Sequence, residues 1–158
     1  MRRQKIYLET TLFNYYFDTD RDAHESTVAL FEDIADGKYE AFTSSYVIEE
    51  LEKAPAEKRD KMIALIEKYG IGMLYPNEET IRIADIYAKE NIIPLKYFTD
   101  GLHIAIATVY ELDMIVSMNF QHIVKRKTRF ETAHINVKNG YKAIEIYSPM
   151  EIIDNENY

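Results

Sequence analysis

Short β-type runs alternate with helical periodicities along this chain, and that alternation limits the fold more than any single residue does. The β-type runs are "KIYLE" (Lys5–Glu9), "YEAFTSS", "IGMLYP", "MIVSM" and "AIEIYSP". Between them lie segments with apolar residues near helical spacing. "STVALFEDIADGK" carries Val28, Leu30, Phe31 and Ile34, with Gly37 as a stop signal. "SYVIEELEKA" is the next predicted helix, capped by Ser44 or Ser45. After Pro55, "AEKRDKMIALIEKYG" is predicted to run helical to Gly70. "NEETIRIADIYAKEN" takes Asn77 as its cap, with Ile81, Ala84 and Tyr87 or Ala88 on one side. Pro94 marks a loop, and Thr99 is the expected cap of a helix from Asp100 to about Glu111. That helix has apolar residues on opposite sides, so it reads as covered almost all round.

Strands alternating with helices predict a parallel sheet with helices on both faces. The expected architecture is an α/β, three-layer α/β/α domain with a central, mainly parallel five-stranded sheet. A length of 158 residues suits one domain spanning 1–158. A chain of that size buries roughly 70% of its unfolded surface. No apolar run approaches the ~18 residues of a membrane helix, and no signal-peptide pattern opens the chain. A cytoplasmic, non-membrane protein is the expectation. Zero cysteines exclude disulfides and thiolate metal sites. Five scattered glycines form neither a phosphate loop nor a dinucleotide fingerprint. A receiver-type domain would want paired acids after its first strand and a lysine after its last, and neither is present.

Ligands of open α/β sheets bind beyond the carboxyl ends of the strands. Glu9 ends the first run, Thr43 and Ser44 the second, and Asn119 follows "MIVSM". Asp100 opens the helix that leads into that fourth run. Glu49 and Glu50 begin the helix after the second. At 100° per residue, the apolar face of Val47, Ile48 and Leu51 turns Glu49 toward water and Glu50 toward the sheet edge. Any one of these acids is more often an exposed charge or a helix-dipole partner. Three acids and an amide at one end of a sheet are harder to read that way.

Clustered carboxylates repel one another unless a cation sits among them. Oxygen donors without Cys, and without paired His at ligand spacing, suit Mg²⁺ or Mn²⁺. Such a site supports metal-assisted attack of water on a phosphodiester. The net charge of −8 argues against a broadly basic nucleic-acid surface. Lys125, Arg126 and Lys127, with Arg129, are the densest basic stretch after the N-terminus. Runs of this kind are most often solvated, and this one is also the candidate nucleic-acid contact.

These residues resemble the PIN domain family, metal-dependent ribonucleases that include VapC-like toxins of type II toxin–antitoxin systems. "IYLETTLFNYYFD" is similar to the family's first strand and following turn, and "TSSYVIEELEKAP" to its second strand and acidic helix. "FTDGLHIAIATVYELDMIVSMNFQHI" resembles its third acidic position and the strand ending in Asn or Asp. "NGYKAIEIYSPMEII" resembles a C-terminal strand found in one subgroup. The resemblance implies that Glu9, Glu50 and Asp100 are catalytic metal ligands for Mg²⁺ or Mn²⁺, with Asn119 at the fourth position. It matches Thr43 or Ser44 to the hydroxyl that steadies the first acid. His103, one turn after Asp100, either supports a ligand or is a packed, hydrogen-bonded core residue; the second is the expected reading. His122 is a lesser candidate for the groove wall. Glu9 replaces the usual Asp and is one methylene longer, and Asn119 is neutral, so the formal charge of the core site is at most −3. The implied partners are RNA, an antitoxin protein and a second copy of the chain as a homodimer. The alternative is a degenerate, non-catalytic PIN domain that binds RNA or protein.

Overall fold

The computed structural model describes residues 2–153. Its five strands are β1 (Gln4–Leu8), β2 (Tyr39–Ser44), β3 (Gly72–Leu74), β4 (Met114–Val116) and β5 (Glu145–Tyr147). They form one parallel sheet in the order β3-β2-β1-β4-β5. β4 and the carboxyl-terminal part of β1, Ile6–Leu8, are buried and continuous because both faces of a parallel sheet are covered. The expected α/β three-layer class is the one observed.

The helices are α1 (Thr10–Phe17), α2 (His24–Ala35), α3 (Ser45–Leu51), α4 (Ala56–Lys68), α5 (Glu78–Lys89), α6 (Phe98–Val109), α7 (Arg126–Lys138) and the short α8 (Pro149–Ile152). The chain winds outward from β1 to β3, then crosses back to β4. Right-handed crossovers therefore put α1–α4 on one face and α5–α7 on the other. The packing agrees: α1 meets α2 and α4, while α5 meets α6 and α7.

Several expected boundaries hold for local reasons. Ser44 caps α3 by accepting a hydrogen bond from Tyr46 N. Asn77 and Thr80 close a reciprocal capping box on α5. Gly37 and Gly70 take positive φ (80° and 63°) just past α2 and α4, where a side chain would be strained. The helix of Asp100 is buried from Gly101 through Thr108, so it is indeed covered all round.

Other expectations fail. Glu9 is not the last strand residue; it is the N-cap of α1, a helix where only a turn was expected. Thr99 does not cap α6. A 3₁₀ turn (Leu95–Tyr97) feeds straight into that helix, so Thr99 already lies inside it. Ile81 is 47% exposed, and the buried side of α5 is Thr80, Ile83, Ala84 and Tyr87. The basic stretch opens α7, an unexpected helix whose buried positions are Thr128, Thr132, Ile135 and Asn136. Asn136 holds it in place by accepting from Tyr87 OH and donating to Thr108 Oγ1.

Candidate active site

The sheet order reverses direction between β1 and β4, which opens a crevice at their carboxyl ends. Glu9 follows β1 into that crevice and is nearly wholly buried. Its backbone N–H donates to Val116 O, so the strand pairing itself fixes its position. Its Oε1 accepts from Thr11 N (3.2 Å), Thr11 Oγ1 (2.5 Å) and Ser117 Oγ (2.6 Å). The same two hydroxyls hold the loop after β4. Thr11 Oγ1 accepts from Met118 N, and Ser117 Oγ accepts from Asn119 N. Burial pushes the Glu9 carboxyl up; His103 and the Ser117 and Thr11 hydrogen bonds pull the other way, and Glu50 pushes it further up.

A second chain of hydrogen bonds crosses the floor of the crevice. Ser44 Oγ lies 2.7 Å from Tyr7 OH, and Tyr7 OH lies 2.6 Å from His103 Nδ1. His103 Nε2 lies 2.5 Å from Glu50 Oε1, which also accepts from Thr10 Oγ1 at 2.9 Å. Ser44, Tyr7 and His103 are fully buried. An ionised Glu50 can only accept, so Nε2 carries a proton. A neutral His103 then accepts from Tyr7 at Nδ1, and a protonated one donates there.

The charges explain each shift. Burial disfavours the His103 cation, but the Glu50 hydrogen bond and the charges of Glu9, Glu50 and Asp100 outweigh it and raise its pKa. Burial likewise works against the Glu50 anion, and the bond and charge of His103, with Thr10, overcome it and lower the carboxyl. Asp100 is raised by burial, despite His103, His122 and a hydrogen bond from Asn119. Glu50 pushes up both Glu9 and Asp100, so it is the electrostatic middle of the three acids.

Asn119 is half-buried, and its Oδ1 accepts from His122 N at 3.0 Å. The His122 ring stacks on Tyr97, with centroids 4.0 Å apart, beside the first turn of α6. Glu49 is exposed, as the helical arithmetic required.

The two hydroxyls expected beneath Glu9 have other roles. Thr43 Oγ1 donates to Leu8 O and pins the end of β1, and Ser44 belongs to the Tyr7–His103 chain. The hydroxyls on Glu9 are those of Thr11 and Ser117, which sequence reasoning missed. The available signal was a serine inside "MIVSM", at the carboxyl end of an otherwise apolar run. Lys125 is the N-cap of α7, and Arg126 and Lys127 lie in its first turn. Lys127 Nζ donates to Asn91 O, and Arg126 is exposed.

The donor chemistry suits an oxygen-liking divalent ion. Glu9 and Glu50 each concentrate their hydrogen bonds on Oε1 and, among the described residues, leave Oε2 without one. Among the described residues, however, no three His, Asp or Glu side chains stand together as a set that could hold an ion. Glu50 is drawn onto His103 instead. Mg²⁺ is usually held by one or two carboxylates, several waters and substrate phosphates, so an all-protein cage is not a requirement.

The PIN domain family model matches residues 6–127, from β1 to the first turn of α7. The chain belongs to the PIN domain family. No curated protein matches this PIN domain. Solved structures do. One is a chain from the crystal structure of VapBC2 from Rickettsia felis bound to a DNA fragment from their promoter. It has a TM-score of 0.58 and 12% sequence identity, covering 92% of the present chain and 98% of that chain. At that identity the likeness concerns the fold. Among the described residues, no helix of the PIN domain is long and apolar enough to cross a membrane.

Proposed function

We propose that this PIN domain is an endoribonuclease that hydrolyses RNA phosphodiester bonds with Mg²⁺ or Mn²⁺. The observation carrying this reading is the Glu50–His103 pair at the crevice where the sheet order reverses, with Glu9 and Asp100 close enough to act electrostatically on the same buried histidine. A bound divalent ion would supply a water of lowered pKa and would offset charge on the phosphate. Glu9, Glu50 and Asp100 are the candidate carboxylates, one or two of which would hold it together with water and substrate phosphate. The hydroxyls of Thr11 and Ser117 keep Glu9 aimed, and Asn119 steadies Asp100. His103, when protonated at both ring nitrogens, balances the negative cluster. Lys125, Arg126 and Lys127 would neutralise phosphates beside an otherwise acidic surface.

The family and the VapBC2 fold neighbour support the toxin half of a toxin–antitoxin pair. An antitoxin segment would then cover the crevice, and an Arg fork would suit its carboxylates. A homodimer and a cytoplasmic location belong to the same reading. The non-catalytic alternative rests on one observation, the lack of a three-residue ion-holding set among the described residues. Incubation with pooled cellular RNA in Mg²⁺, Mn²⁺ or EDTA separates the two. Cleavage with either ion and none in EDTA is expected; RNA left intact in all three would sink the nuclease reading.

A further inference from the structure

Beside the acids, the first α-helices and the loop after β4 enclose a cleft of about 490 Å³. Its walls are Tyr15, Met118, Phe120 and Met150, and Arg21 and Asp22 also line it. It is tied directly to the catalytic crevice. Thr11 Oγ1 bridges Glu9 and Met118 N, and Phe120 follows Asn119 in the chain. Phe120 is 48% exposed, an open aromatic face next to a polar site. Arg21 is held in place: Nε donates to Asp18 (2.9 Å), Nη1 donates to Tyr15 OH (3.0 Å), and the guanidinium carbon sits 4.9 Å from the Tyr15 ring centroid.

We propose that this cleft is a nucleobase subsite, taking one base of a single-stranded RNA beside the phosphate to be cut. It rests on the ribonuclease reading above and adds how the strand is gripped. A base offers two things that these residues match. Its π-face stacks on an aromatic ring whatever its identity. Its edge presents donors and acceptors, which Asp22 and the Nη2 of Arg21 can meet. Arg21 brings further guanidinium N–H donors to the rim of the cleft, its charge shared with Asp18. An apolar side chain of a protein partner would use the aromatic walls but leave those polar groups unused.

The test uses the intact protein and a fluorescent 12-mer of randomised 2′-O-methyl RNA, which cannot be cut, with Ca²⁺ in place of Mg²⁺. Phe120→Ala is expected to weaken binding roughly 5- to 100-fold, the usual loss for one stacked base. Phe120→Tyr should bind within about threefold of the unaltered chain, because the stacking face remains. Phe120→Ala should leave the slope of affinity against salt unchanged, because a stacked ring neutralises no phosphate. Because Phe120 is exposed, its replacement should not disturb folding. An independent readout is photocrosslinking of 4-thiouridine RNA to the unaltered chain, with crosslinks expected on Tyr15, Met118 or Phe120. Unchanged affinity in Phe120→Ala, with crosslinks elsewhere, overturns the subsite and leaves the nuclease reading standing. A Phe120→Ala chain that keeps its RNA affinity but loses a copurifying polypeptide reassigns the cleft to protein docking. No RNA binding by the unaltered chain removes both.

Discussion

Glu50 Oε1 and His103 Nε2 lie 2.5 Å apart, and the histidine is wholly buried while the glutamate reaches the surface. Removing the histidine leaves Glu50 without its Nε2 hydrogen-bond donor and Tyr7 without a partner at Nδ1. His103→Leu is expected to cost about 1.5–3 kcal/mol in denaturant melts without metal. Adding Mg²⁺ should recover part of that loss, because an ion then supplies the missing positive charge. Equal stability of the two proteins in EDTA would show that the pair contributes nothing net.

The same pair predicts a stability maximum in pH. His103 is raised above its ordinary 6.5, so its contribution is full below 6.5 and is lost as pH rises through the folded value. Glu50 is lowered from 4.5, so its contribution is present above 4.5 and is lost as pH falls through the folded value. Glu9 and Asp100 are raised, so ionising them in the folded state adds a cost as pH climbs past their ordinary values. In EDTA, the melting temperature should peak in mildly acidic solution and fall toward pH 9. His103→Leu should flatten the fall above 6.5.

Asp100→Asn removes a charge that burial already disfavours, and it keeps the shape of the side chain. Cleavage should disappear with both metals. Stability without metal should equal or exceed that of the unaltered chain. A variant with full metal-dependent activity would remove Asp100 from the mechanism.

Glu9 tests whether its extra methylene matters. Mg²⁺ tolerates misplaced ligands poorly, so Mn²⁺ should support the faster cleavage. Glu9→Asp should retain activity or raise it with Mg²⁺, since Asp also caps helices well. Glu9→Ala should be inactive with either ion. Ser117→Ala should lose about 1.5–3 kcal/mol of stability in thermal melts, because a hydroxyl bound to a buried carboxylate is gone. If the three Glu9 versions cut RNA alike, Glu9 is no ligand.

Replacing Lys125, Arg126 and Lys127 together with Ala should weaken RNA binding and flatten its salt dependence by about three, one unit for each phosphate no longer neutralised. Binding titrations at several salt concentrations read this directly. An unchanged slope returns the segment to a solvated helix start.

The layered fold was legible because burial writes itself locally, as apolar runs for strands and a 3.6-residue rhythm for helices. Asn77, Gly37 and Gly70 marked helix ends through chemistry confined to a few neighbouring residues. Glu50 could be told from Glu49 by helical geometry alone. Helix α7 escaped because its buried side carries Thr128, Thr132 and Asn136, polar residues that look like surface. Thr132 is satisfied within the helix by Thr128 O, while Thr128 and Asn136 use His122 O, Tyr87 OH and Thr108 Oγ1, partners that no helical pattern reveals. The order β3-β2-β1-β4-β5 was likewise a tertiary outcome. So was the choice of hydroxyl for Glu9: Ser117 reaches it across 108 positions, while Thr43 turns to Leu8 O. Sequence alone determined which residues are apolar, which are acidic and where helices can begin. Only the folded sheet decided which acid meets which partner, because a hydrogen bond needs registration to within a few tenths of an ångström between segments far apart in the chain.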